Sequence, residues 1–228
     1  MKQPLICASV MEPSPRDFVE VSLRAENADI IEVRADALED PAPNKVRRLL
    51  RKVNKATGRD VILTVRPKGE GGAFKGTEED RRSLLEACLG EARYVDLELE
   101  MPSLVDTAKK ARDASTDIIV SHHNFQGTPA EEDMMAILKR EHEAGADIAK
   151  LAVTANNMRD VLRLLEVTLS ASQKWRICTI SMGKLGTLSR VAAPLLGSSL
   201  VYGYVSRPTA PGQLSVDEVK HVLEILGV

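Results

Sequence analysis

The sequence is short of several things, and each shortage removes a class of function. Only three cysteines occur, Cys7, Cys88 and Cys178, far apart, odd in number and outside any CxxC arrangement. That argues against a disulfide framework and against a structural zinc site, and it suits a reducing cytoplasm. No apolar run approaches the roughly 18 residues of a membrane span. The N-terminal MKQPLICASV has one lysine and then a strand-like run too short for the core of a secretion signal. Thirty-one Lys and Arg against thirty-three Asp and Glu give a formal net charge of −2, spread without blocks. Neither nucleic acid nor a membrane is therefore an expected partner, and the ligand should be a small molecule. There is no HExxH, no carboxylate and histidine spacing for a metal, and no Walker-type loop, so neither a metal nor a cofactor is expected.

What is present is alternation. Strand-like runs stand at LICASV (5 to 10), DIIEVRA (29 to 35), VILTVR (61 to 66), YVDLELE (94 to 100), DIIVSHH (117 to 123), DIAKLAV (147 to 153), RICTISM (176 to 182) and LVYGYV (200 to 205). Segments of helical period lie between them, such as SPRDFVEVSLRAENA and NNMRDVLRLLEVTLS. Caps are expected at Ser14, at Thr77 with Asp80, at Thr128 before Pro129, and at Ser215 with Glu218. Strict strand and helix alternation implies a parallel sheet. Eight units in 228 residues match a compact (β/α)₈ TIM barrel of typical size ~250, with a doubly wound open sheet as the rival. No linker or composition shift divides the chain, so residues 1–228 are expected to form one domain.

Strand parity then separates two faces. Ile31, Val33 and Ala35 oppose Glu32, Arg34 and Asp36; Val61, Leu63 and Val65 oppose Thr64 and Arg66. Val95, Leu97 and Leu99 oppose Asp96, Glu98 and Glu100; Ser121 and His123 share a face with Ile119; Lys150 stands apart from Ala149, Leu151 and Val153. Taken singly, such a residue is more often a solvated edge position or half of an ion pair. Five strands with polar groups on the second face, mostly near their C-terminal ends, are a different matter, because those are the ends where barrel active sites form.

A desolvated lysine among cations such as Arg34 and Arg66 has its charged form disfavoured, and a neutral amine can form a Schiff base with a ketone or aldehyde. A histidine can move the protons. Lys150 with His123 therefore points to imine-mediated carbon chemistry: aldol cleavage, decarboxylation or β-elimination.

EVRAD (32 to 36), VRPKGEGG (65 to 72), DLELE (96 to 100), SHHNF (121 to 125), ADIAKLAV (146 to 153), SMGKLGTLSR (181 to 190) and TAPGQ (209 to 213) occur in this order. Together they resemble the type I 3-dehydroquinate dehydratases of the shikimate pathway, which serves chorismate and aromatic amino acid biosynthesis. The resemblance implies a lyase converting 3-dehydroquinate to 3-dehydroshikimate, cofactor-free and cytoplasmic, with a homodimer expected. It implies Lys150 as the Schiff-base lysine, His123 as the proton-transfer group and Glu70 as its tuning carboxylate. Arg190 should hold the substrate carboxylate, Glu32, Arg34 and Arg66 should meet the ring hydroxyls, and Gln213 should close over the ligand on a mobile lid, with Gly212 as its source of freedom. Thr209 and Ser9 are further binding candidates. Asn124 stands where the family usually has aspartate, and Thr209 where serine is common. A class I aldolase acting on a phosphorylated sugar and a catalytically dead binding barrel are the alternatives. His122 should point to the helices, His142 and His221 should lie on the surface, and Trp175, Met182 and Tyr202 read as packing residues, the last two near the pocket.

Overall fold

Among the described residues, runs of β-branched and aliphatic residues, each closed by a turn, make eight short parallel strands, and the segments after them make eight α-helices. The computed structural model describes residues 3–228. In chain order the elements are β1 Leu5–Val10, α1 Pro15–Leu23, β2 Ile30–Arg34, α2 Pro43–Thr57, β3 Asp60–Thr64, α3 Glu78–Cys88, β4 Tyr94–Glu98 and α4 Leu104–Asp113. They continue as β5 Asp117–Asn124, α5 Glu131–Glu143, β6 Ile148–Thr154, α6 Met158–Ser172, β7 Ile177–Met182, α7 Ser189–Leu195, β8 Leu200–Tyr204 and α8 Val216–Ile225. The strands pair in the order β7-β6-β5-β4-β3-β2-β1-β8, all parallel. This is a single (β/α)₈ barrel, and the open-sheet rival is set aside because the two end strands of that order, β7 and β8, meet, with Ser199 N donating to Ile177 O at 2.8 Å.

The ring is nearly closed. Between β7 and β8 there is one isolated bridge, Ile177 to Ser198, in place of a ladder. Side chains stitch the rest of that seam: Ser199 Oγ donates to Ile177 O at 2.9 Å, Thr179 N donates to Ser198 Oγ at 3.3 Å, and Cys178 Sγ donates to Leu200 O at 3.2 Å.

Alternation sorts the core into an outer and an inner layer. Ile31, Val33, Val61, Leu63, Val95, Leu97, Ile118 and Val120 pack outward against the helices. Cys7, Ile30, Ile62, Tyr94, Ile119, Ile148, Cys178 and Leu200 face inward and fill the base of the barrel. Above that apolar floor the inward positions become polar, which is where a pocket can exist. Among the described residues no helix is long and apolar enough to cross a membrane.

Local signals decide most element ends. Ser14, Thr77 and Ser215 cap α1, α3 and α8, the last two as reciprocal capping boxes with Asp80 and Glu218. Thr128 does not cap α5. Ala130 occupies that position, and the Thr128 hydroxyl instead donates to Thr154 O at 2.9 Å, tying the β5 loop to β6. Glu100 also departs from expectation, because β4 ends at Glu98 and the chain turns, with Met101 N donating to Glu98 O. Its carboxylate leaves the interior face and pairs with Arg140 at 2.9 Å on the surface.

Candidate active site

A cavity of about 150 Å³ opens at the C-terminal ends of the strands, lined by Ser9, Glu32, Arg34, Arg66, Glu70, His123, Lys150, Arg190, Thr209 and Gln213, with Phe125, Met182 and Tyr202 among the apolar walls. All ten residues expected from the sequence meet there, although they come from six strands or strand-end loops and the eighth βα loop. Parity delivers Ser9, Glu32, Arg34, Arg66, His123 and Lys150 to one side of the sheet. His122, one residue away, is half-buried outside the cavity, its Nδ1 without a partner. His142 and His221 are exposed.

Lys150 is 5% exposed, and its Nζ lies 2.8 Å from Asp96 Oδ2 and 4.3 Å from the centre of the Tyr202 ring. Asp96 also accepts from Ser121 Oγ at 2.6 Å and meets Arg66 Nη2 at 2.7 Å. Burial pushes the Asp96 carboxyl up, but Arg66 and then Lys150 outweigh it and hold it well below the usual carboxylate range. Arg66 is shared further, with Glu98 at 2.9 Å and Glu70 at 3.5 Å. Arg34 is clamped bidentately by Asp36, at 2.8 and 2.7 Å. Each cation near the amine thus has its own carboxylate, and so does the lysine. Asp96 and Asp36 are the residues that sequence reasoning left without a role. Asp96 stands on the polar face of β4, where parity puts it in plain view, while Asp36 lies in the tight turn Ala35–Ala37 just past the end of β2.

His123 extends from the end of β5, and its Nδ1 is 2.8 Å from Glu70 Oε2. Glu70 reaches it from a tight turn over Lys68–Glu70. That turn folds so closely over the end of β3 that a Cβ at Gly72 would sit 1.9 Å from Arg66 O, which admits only glycine. Burial raises the Glu70 carboxyl to about 7 despite the nearby Arg66. Burial, reinforced by Arg66 and Lys150, drives the His123 imidazole well below its usual value. With its carboxyl raised to about 7, Glu70 is partly ionised near neutral pH and can accept from Nδ1–H, and in that tautomer the neutral imidazole leaves Nε2 as the base.

Across the cavity the electrostatics invert. Arg190, near the start of α7, is 3% exposed, and neither Nε nor Nη2 has a partner. Burial alone brings its pKa down to about 10. Ser189 fixes this turn, accepting from Ser181 N at 2.9 Å and donating to Gly186 O at 2.7 Å. A buried guanidinium without a carboxylate is costly unless an anionic ligand completes it. The Tyr202 hydroxyl and Ser181 Oγ are likewise buried without partners.

The TAPGQ segment lies down over the mouth. Gln213 Oε1 accepts from Thr209 N at 2.7 Å, and Thr209 Oγ1 lies 3.1 Å from Ser9 Oγ. Ser9 in turn donates to Glu32, which also accepts from Thr64 at 2.9 Å. Thr209 thus supplies the hydroxyl that a serine would. Gly212 serves close approach: its φ is +72°, and a Cβ there would meet Gly183 O at 2.1 Å. Asn124, in place of aspartate, makes no side-chain hydrogen bond to His123; its Oδ1 accepts from Gln126 N and Gly127 N at 2.9 and 3.1 Å and shapes the β5 loop.

Comparison with known proteins agrees with this geometry. The family model described as type I 3-dehydroquinase matches residues 6–228. The 3-dehydroquinate dehydratase of Methanococcoides burtonii is 42% identical over 228 residues, covering 99% of this chain and 95% of that one. Among solved structures, 3-dehydroquinate dehydratase from Geobacillus kaustophilus superposes with a TM-score of 0.95 at 31% identity, covering 99% of this chain and 92% of that one. The type I enzyme from Clostridium difficile with covalently modified comenic acid gives 0.92 at 29% identity, covering 99% and 93%. On the match across nearly its whole length, the chain belongs to the type I 3-dehydroquinase family and is an enzyme of the lyase class.

Proposed function

We propose that the enzyme eliminates water from 3-dehydroquinate, giving 3-dehydroshikimate, through a Schiff base on Lys150. One observation carries the reading: a buried amine and a buried, unpaired guanidinium, Lys150 and Arg190, line the same cavity. They suit a substrate that is both a ketone and a carboxylate.

Arg190 takes the substrate carboxylate with its planar fork and orients the ring. The Lys150 ammonium must lose a proton before it attacks the ketone. Asp96 cannot keep that proton, because Arg66 and Lys150 hold it ionised. The His123 and Glu70 pair is the acceptor, and it returns the proton as the carbinolamine loses water. The resulting iminium draws electrons from the adjacent C–H bond. His123 removes that proton, the carbanion expels the neighbouring hydroxyl, and the imidazolium protonates it as water. Hydrolysis of the imine frees the product and Lys150. The ion pair and the imine are not rivals here, because Asp96 and the Tyr202 ring face the iminium cation as they face the ammonium. Glu32, Arg34, Ser9, Thr209 and Gln213 surround the ring hydroxyls. Residues 1–228 act as one catalytic domain, as a homodimer in the cytoplasm.

Borohydride decides the central step. Reduction in the presence of dehydroquinate should inactivate the enzyme and leave one covalent adduct on the peptide containing Lys150. An adduct on Lys68 or Lys184, or turnover that survives reduction without any adduct, would overturn the mechanism.

A further inference from the structure

Arg81 has no place in the cavity, yet it is 2% exposed and among the largest fully buried side chains of the protein. It reaches inward from α3. Nη1 donates to Glu98 Oε2 and to Val65 O at 3.1 Å, while Nε and Nη2 hold Glu78 at 2.8 and 2.7 Å. Glu98 gives its other oxygen to Arg66 at 2.9 Å. Arg66 in turn lies between Asp96, the counterion of Lys150, and Glu70, the partner of His123. Charges therefore alternate without a gap from the helix surface to the amine: Glu78, Arg81, Glu98, Arg66, Asp96, Lys150.

We propose that Arg81 is a positioning residue for the reaction, neutralising Glu98 so that Arg66 stays seated between Asp96 and Glu70 and thereby holds both Lys150 and His123 in place. The inference rests on the Schiff-base reading above. Its physical basis is that a buried ladder of charges is stable only when each member is compensated on both sides. Glu98 faces Arg66 and Glu70 from the β3 loop, Arg81 from α3, Asp96 on its own strand, and Ser121 opposite it on β5. Burial already pushes its carboxyl upward against two arginines. With one arginine gone, Glu98 takes up a proton at higher pH and releases Arg66.

The test is kinetic. Arg81→Met should lower kcat about tenfold or more with KM changed less than about threefold, because Arg190 still binds the carboxylate. The acid limb of kcat should move to higher pH by about one unit, the reach of one lost neighbouring charge. Arg81→Lys, which keeps the charge, should recover most of kcat. The double variant Arg81→Met/Glu98→Gln removes one charge of each sign, and its acid limb should return to the wild-type position. If Arg81→Met does not fold, the lysine and double variants carry the test, since neither leaves a net buried charge. Wild-type kcat and acid limb in Arg81→Met would overturn the proposal. So would a loss of kcat that neither companion variant relieves, which would make Arg81 mere anchorage for α3. Borohydride trapping of the wild type separates the two readings: an untrapped wild type sinks the imine, whereas a trapped wild type beside an indifferent Arg81→Met sinks this inference alone.

Discussion

The two walls of the cavity are built on opposite electrostatic plans. On the Lys150 wall every charge is matched within the protein, through Asp96, Arg66, Glu98 and Glu70. On the Arg190 wall a guanidinium is buried and left open. A closed network resists rearrangement and fixes geometry, so it is fitted to chemistry. An open cation is incomplete until a ligand arrives, so it is fitted to binding. Substrate affinity and substrate conversion should therefore fail separately.

The sharpest way to break the contrast is Lys150→Met. It removes the covalent route and leaves Asp96 facing no amine, so kcat should fall by at least about 10⁴-fold while a substrate analogue still binds. Loss of analogue binding to the same degree, by calorimetry, would show that the walls are not independent. His123→Ala comes next. A positioned acid and base group contributes roughly 10²- to 10⁴-fold, and His122→Ala, on the outer face, should change kcat by far less. A reversed ranking in steady-state assays would refute the assignment by parity.

Arg190→Ala should show the complementary pattern. KM should rise by about 10- to 100-fold, the worth of charge-assisted hydrogen bonds to a carboxylate, with some loss of kcat from poorer orientation. Kinetics within twofold of wild type in both parameters would remove the carboxylate site.

The smallest effect sharpens the comparison from outside the cavity. Glu141 on α5 is fully buried, and both its oxygens lack a partner, as Arg190 lacks one. It lies on the helix face that packs on the sheet with Met134 and Leu138, so no ligand can reach it. Burial raises its pKa well above the ordinary value. The unfolded chain therefore ionises Glu141 near pH 4.5 while the folded chain keeps its proton, and stability must fall as pH rises above that value. Glu141→Leu should raise Tm, more at pH 8 than at pH 5, with a gain in unfolding free energy on the order of 1–3 kcal/mol at the alkaline end. Activity should stay near wild type. A lower Tm at every pH would mean that the carboxyl has a role the contrast with Arg190 does not capture.

How much of this was readable in the chain depends on what carries the information. Period-two alternation is strong, so the eight strands and the inward placement of Glu32, Arg34, Arg66, His123 and Lys150 could be read directly. Glu70, Arg190, Thr209 and Gln213 lie on loops or at a helix start, where no period exists, and only the motif resemblance identified them. Pairing was the part that stayed hidden. Asp96 and Lys150 are 54 positions apart, and parity says which face a residue takes but not which neighbour it meets across a barrel. Glu100 failed for the simpler reason that a strand ended two residues early, and Thr128 because Pro129 begins an extended segment before α5 starts.

The seam between β7 and β8 has a consequence for how the chain reaches this shape. These two strands are neighbours in sequence yet share one bridge, whereas β8 forms its full ladder with β1, some 195 positions away, from Leu5 to Leu200 through Ser9 to Tyr204. The local contact is the weak one and the distant contact the strong one. Strands β1 to β7 can assemble in order as the chain emerges, each pairing with the one before it, but the sheet then has two bare edges. Only the last strand, docking against the first, shuts it. Closure of so long a loop is entropically slow, and it should set the pace of folding. Backbone amides beside the seam should be the first in the barrel to exchange with solvent, ahead of those in the β5 and β6 ladder that carries Lys150.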